Sequence, residues 1–237
     1  MPITFAHPAA VLPFARHLPL PALVAGSVAP DIAYYLPIHV PHTHSLPAIL
    51  WWDLPIGLAL LLTFRLSRGP ALLPPADSHP TAIRTLAALA LGATTHVLWD
   101  SFTQTTGFAV QHWDFLRTTV IEPHKTYNVL GYVCSLTGTA LITYLLLRPA
   151  SAVTTRAHLP LIAALLTAAV LGAILAADDP VTRTSTYDLI RHTIIGAAKA
   201  IALTWIAWMA LWHLHFSGSC ALSHVPGESP PRNRRGP

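Results

Sequence analysis

Charge is what this chain has least of. Asp, Glu, Lys and Arg make up 10% of its 237 residues, where soluble domains carry roughly 25%. Glutamate is almost missing, with Glu122 alone before residue 228, and lysine occurs only as Lys125 and Lys199. So little charge, with 53% hydrophobic residues and a mean hydropathy of +0.51, excludes an ordinary water-soluble domain and predicts a membrane protein. The net charge of +4 is scattered, apart from Arg232, Arg234 and Arg235. No basic stripe forms, so nucleic acid is not an expected partner and membrane lipids are. Cysteine is also scarce: Cys134 and Cys220 make neither a disulfide framework nor a CxxC motif. The opening MPITFAHPAA lacks a basic n-region, which leaves targeting to internal spans.

Long apolar runs are what the chain does have. Five approach or reach the roughly 20 residues that cross a bilayer, near 47–66, 84–102, 128–147, 159–177 and 193–213. Residues 1–46 are apolar but broken by prolines; they predict a cap of short helices and turns packed on the bundle, in part re-entrant, because irregular backbone at membrane depth must be covered by protein. From Ser217 to Pro237 the sequence is rich in Pro, Gly, Ser and Arg without apolar periodicity, and a disordered tail is expected. The expectation is an all-α polytopic membrane protein with one membrane domain over residues 1–216.

Loop charge gives an orientation. With the N-terminal region on one side, that side carries Arg16, Arg117, Lys125, Arg183 and Arg191. The other carries Arg65, Arg68, Arg84, Arg148, Arg156, Arg232, Arg234 and Arg235. The positive-inside rule makes the second side, with the C-terminus, cytoplasmic.

Fourteen histidines stand against this background. His96 and Asp100, in GATTHVLWDSFTQTTG, are one helical turn apart and share a face. HVPHTHS supplies His39, His42 and His44, and His7, Asp31 and Asp53 fall towards the same predicted side. So does the 103–127 loop with His112, Asp114, Glu122 and His124. Imidazole and carboxylate are the donors that zinc-like ions take. A lone HxxxD also serves as an intrahelical hydrogen bond, Asp53 also fits a helix cap, and Lys199 fits a snorkelling or paired lysine. Trp51, Trp52, Trp99 and Trp113 fit an interfacial aromatic belt. Convergence of so many donors on one face favours a divalent cation.

FAHPAAVLP, GSVAPDIAYYL, HTHS, DLPIGLALLL, THVLWDSFTQTTG and YNVLGYVCSLTG resemble successive blocks of an uncharacterised bacterial membrane-protein family, the domain-of-unknown-function 4184 family. The resemblance is good from residue 3 to about 147. More distantly, the blocks are similar to membrane-bound metal-dependent hydrolases and, in ligand order, to the zinc-dependent phospholipase C and P1 nuclease group. The resemblance implies His7, Asp31, His44, His96 and Asp100 as ligands of a divalent metal, zinc before others. Gln104 stands where the family block has histidine, and the second HxxxE of the zinc phospholipases is missing. The favoured activity is metal-dependent hydrolysis at the membrane–water interface; the place of the donors suggests a lipid or phosphoester as substrate, with Asp53 or Asp114 orienting the nucleophile. The alternative is a non-catalytic scaffold or metal-binding protein in which the same pairs tie helices together.

Overall fold

The computed structural model describes residues 3–35, 43–67, 80–147 and 159–222. A 3₁₀ turn, Thr4–Ala6, leads into α1 (Pro8–Val11), and a second turn precedes α2 (Leu20–Val28), which passes directly into a long 3₁₀ turn, Ala29–Tyr35. After α3 (Leu46–Ala48), a widened π turn over Ile49–Asp53 opens into α4 (Leu54–Leu66). The long α5 (Ala82–Thr103) begins at a Thr81 cap, whose Oγ1 accepts from the Arg84 amide. Two short helices, α6 (Phe108–His112) and α7 (Asp114–Arg117), and a small antiparallel hairpin of β1 (Thr119–Ile121) and β2 (His124–Lys125) join it to α8 (Thr126–Leu147). α9 (Leu159–Ala177) and α10 (Thr186–Leu222) pack along each other.

Five helical stretches are long and apolar enough to cross a membrane, and they lie where the sequence puts them. Their outer faces carry large apolar side chains in the open, among them Leu136, Leu166, Leu175 and Leu203. Water would not tolerate so much exposed Leu; hydrocarbon does. The boundaries differ in three places. The loop expected over 103–127 folds into α6, α7 and the hairpin. α10 starts at Thr186 rather than near 193, because Ser185 and Asp188 cap each other: the Asp188 amide donates to Ser185 Oγ, which donates to the Asp188 carboxylate. And α10 runs on to Leu222, past the Ser217 at which a disordered tail was expected; residues 223–237 lie outside the described residues.

The proline-broken cap is the part that positions the chemistry. His17, just before α2, offers its carbonyl to Arg84 at the start of α5, while Ser27, near the end of α2, reaches His96 near the end of α5. The cap therefore dips along α5 and climbs back beside it, instead of lying across one end. α2 and α5 approach closely because each carries a glycine at the contact. A Cβ on Gly26 would stand 2.2 Å from the Leu89 carbonyl oxygen, and one on Gly92 would stand 2.3 Å from that of Leu23. Val11, Ala22, Leu23, Ala25, Leu61, Ala88 and Leu89 close a dry core around this crossing.

Candidate metal centre

Asp31, His44 and the α5 pair His96 and Asp100 come from three separate stretches of chain and meet at the end of the α2–α5 pair. Asp31, His96 and Asp100 are buried, and His44 closes the cluster from the outer side with 18% of its side chain exposed. His44 Nε2 is 3.1 Å from Asp31 Oδ1 and 3.3 Å from Asp100 Oδ2; His96 Nε2 is 3.4 and 3.3 Å from the same two oxygens. The two ring nitrogens are 3.4 Å apart, and all four donor atoms lie within 4.8 Å of one another.

Two arrangements could bring such groups together, and distance separates them. An ion quartet of imidazolium and carboxylate closes to about 2.7–2.9 Å across N–H···O contacts. It would also set two Nε2–H groups against each other. A tetrahedral ion with bonds of about 2.05 Å places its donors about 3.3 Å apart. Five of the six edges, at 3.1–3.4 Å, fit the second, and the sixth, between the two carboxylate oxygens, lies within 4.8 Å. Charge agrees with geometry: two buried carboxylates leave a deficit that one divalent cation cancels.

The tautomer is fixed from behind. His96 Nδ1 lies 2.6 Å from the Ser27 carbonyl oxygen, which can only accept, so Nδ1 carries the proton and Nε2 presents its lone pair to the centre. Pro30 explains why that carbonyl is available, since the residue three positions on has no N–H to return to it. Asp31 is held likewise: Thr4 Oγ1 donates to its Oδ2 at 2.6 Å and contacts the Tyr35 hydroxyl at 3.1 Å. Burial opposes the Asp31 anion, but contacts with His44 and His96 outweigh it and hold the carboxyl far below its usual range. His44 Nδ1 contacts Thr43 Oγ1 at 3.0 Å, and Gln104 Nε2 donates to Asp100 Oδ2. Gln104, standing where histidine was expected, thus braces one of the four clustered donors.

The remaining site residues separate. His7 stacks on His96 with ring centroids 3.7 Å apart, and its Nε2 is 3.7 Å from Asp100 Oδ1. It flanks the four donors without being one of them. Burial first, then His96, pushes the His7 imidazole down to about 4, so the ring is neutral at neutral pH and its buried Nε2 has no partner. Asp53 is fully buried in the π turn, within electrostatic reach of His44 and His96, and neither carboxylate oxygen has a hydrogen-bond partner. Asp114, by contrast, is 93% exposed and paired with Arg117. It belongs to a surface salt bridge, which removes it from the nucleophile-orienting role. His39 and His42 lie outside the described residues. Ser27, Thr4 and Thr43 were not legible as site residues; Gln104 was singled out in the sequence, but as a histidine missing from the site and not as a partner of Asp100.

The profile described as "Domain of unknown function (DUF4184)" matches residues 1–217. The chain belongs to this family. No curated protein and no solved structure matches it. This chain displays a multi-helix, membrane-type fold and a His/Asp cluster able to hold a metal ion.

Proposed function

We propose that this chain is a zinc-dependent hydrolase acting on a phosphoester at the membrane–water interface. The observation that carries the reading is Asp53, a buried carboxylate beside the cluster with both oxygens unpartnered. A cluster built only to tie helices together has no use for an unsatisfied anion, which costs a few kcal/mol wherever it sits. A base has. Asp31, His44, His96 and Asp100 would hold the ion, which when bound supplies Lewis acidity and lowers the pKa of a nearby water towards about 7. Asp53 accepts the proton of the attacking water, and His7, neutral and unpartnered at Nε2, orients it. His44, the one partly exposed member, lies on the side from which substrate enters.

The cluster is proposed to face away from the cytoplasm. Arg16 travels with His17 to the Arg84 end of α5, so moving it across changes five basic residues against eight into four against nine.

One observation favours a second reading. The cluster offers four protein donors, the number that structural zinc sites use, whereas catalytic sites keep a position open. Asp53→Asn decides between the two. Purified in detergent and loaded with zinc, the variant should keep one metal per chain while hydrolysis of a vesicle-borne phosphodiester falls by at least 100-fold. A wild type that holds zinc but hydrolyses nothing, with Asp53→Asn altering only thermal stability, would establish the structural reading instead.

A further inference from the structure

Beside the metal centre lies a cavity of about 490 Å³ that the cluster does not use. It is bounded by the first 3₁₀ turn through Thr4, by Tyr34 and Tyr35, and by the site-side halves of α8 and α10, which face each other across it. Its size is that of a small-molecule site. Its walls are mostly apolar, with Leu136 from α8 and Ile190, Ile194 and Ile195 from α10.

Set into this apolar wall is one cation. Arg191 is one turn before Ile194 and Ile195 on the same face of α10. Its guanidinium lies 5.8 Å from the centre of the Tyr34 ring; Asp188, one turn earlier, is within electrostatic reach, but among the described residues no carboxylate closes to an ion pair with it. An arginine held over an aromatic face keeps its in-plane donors for a planar or tetrahedral oxyanion. Thr139, also on the wall, has a buried hydroxyl without a partner. Arg191 is in the second turn of α10, at the end of a candidate span, which is the depth at which lipid phosphates lie.

We infer that this cavity seats an anionic lipid, its acyl chain against the α8 and α10 walls and its phosphate on Arg191. A free phosphate would account for the arginine but not for the apolar walls; a neutral lipid would account for the walls but not for the arginine. Thr4 joins the cavity to the centre, because it lines the one and hydrogen-bonds Asp31 in the other. The phosphoester therefore lies next to the cluster. Naming this lipid as substrate rests on the hydrolase reading, whereas its binding does not require the metal.

Native mass spectrometry of the full chain in detergent tests the inference, with dioleoyl phosphatidic acid, dioleoylglycerol and inorganic phosphate as probes. Wild type should bind one phosphatidic acid, with or without prior chelation of metal. Dioleoylglycerol should bind at least tenfold more weakly, and millimolar phosphate should not displace the lipid. Arg191→Gln and the cavity-filling Ile194→Trp should each weaken binding at least tenfold with zinc content unchanged, and Arg191→Lys should restore most of it. Equal binding by wild type and Arg191→Gln, or displacement by inorganic phosphate, would overturn the site. Phosphatidic acid bound as expected but never hydrolysed would sink the enzyme reading alone. Hydrolysis that survives both Arg191→Gln and Ile194→Trp would sink the cavity alone.

Discussion

At the residue scale, the site is defined by which atom of each side chain is free. Nδ1 of His96 is engaged by the Ser27 carbonyl and Oδ2 of Asp31 by Thr4, so the atoms left over, Nε2 and Oδ1, are the ones that point at each other. The HxxxD spacing showed that His96 and Asp100 share a face. It could not show the braces, because a threonine hydroxyl or a backbone carbonyl has no sequence signature of its own. Replacing a donor and replacing a brace should differ in degree. His96→Ala and Asp100→Ala should each reduce bound zinc from one per chain to near zero by elemental analysis, while His213→Ala, which loses contacts with the Leu66 carbonyl and the Trp212 ring far from the cluster, should leave it unchanged. Gln104→Ala removes a donor to Asp100 and no ligand, so its zinc should remain but bind about 10–100-fold more weakly in a chelator competition. Full zinc loss in Gln104→Ala would make residue 104 a ligand position after all.

At the scale of elements, the centre exists because α2 and α5 touch backbone to backbone. The apolar runs made the long helices legible, since 20 hydrophobic residues have few other solutions. The cap was legible only as something proline-broken. Its descent along α5 depends on where small residues from distant stretches meet, and hydropathy does not encode that. Gly92 is the most direct test. A methyl there meets the Leu23 carbonyl oxygen and the Ser27 amide nitrogen at 2.3 and 2.7 Å, and neither is a side chain that can swing away. Gly92→Ala should therefore force the helices apart, cost about 1–3 kcal/mol, and lengthen the contact between Ser27 and His96 on which the tautomer depends. The expected readout is a lower melting temperature together with weakened zinc binding. Gly131→Ala is the control. Its added carbon would lie 3.7 Å from its nearest neighbour, ordinary contact, so helix propensity should leave α8 unharmed or slightly stabilised. If Gly92→Ala behaved like Gly131→Ala, the close crossing would not be what holds the site.

At the scale of the whole molecule, the polar groups that looked misplaced in oily segments gather at one end. Asp53 opens the first span, His96 and Asp100 close the second, and Arg191 enters the last, while the contact of Ser67 with Trp205 and Met209 ties α4 to α10 far along both helices from that end. The four tryptophans expected as a belt, Trp51, Trp52, Trp99 and Trp113, are all substantially exposed near the same end, as an interfacial ring requires. Which compartment that end faces depends on the loop charges, and labelling can read it. Thr105, exposed just beyond α5, and Ala82, exposed at its beginning, mark the two ends of one helix. Single cysteines at these positions, in a background without Cys134 and Cys220, should separate cleanly in intact cells. Thr105→Cys should react with a membrane-impermeant maleimide, and Ala82→Cys should react only after the cells are opened. The reverse pattern would place the metal centre on the cytoplasmic side and leave its geometry untouched. Substrate would then have to arrive from the inner leaflet, and the four-against-nine asymmetry of basic residues would be oriented against the rule that sets most membrane topologies.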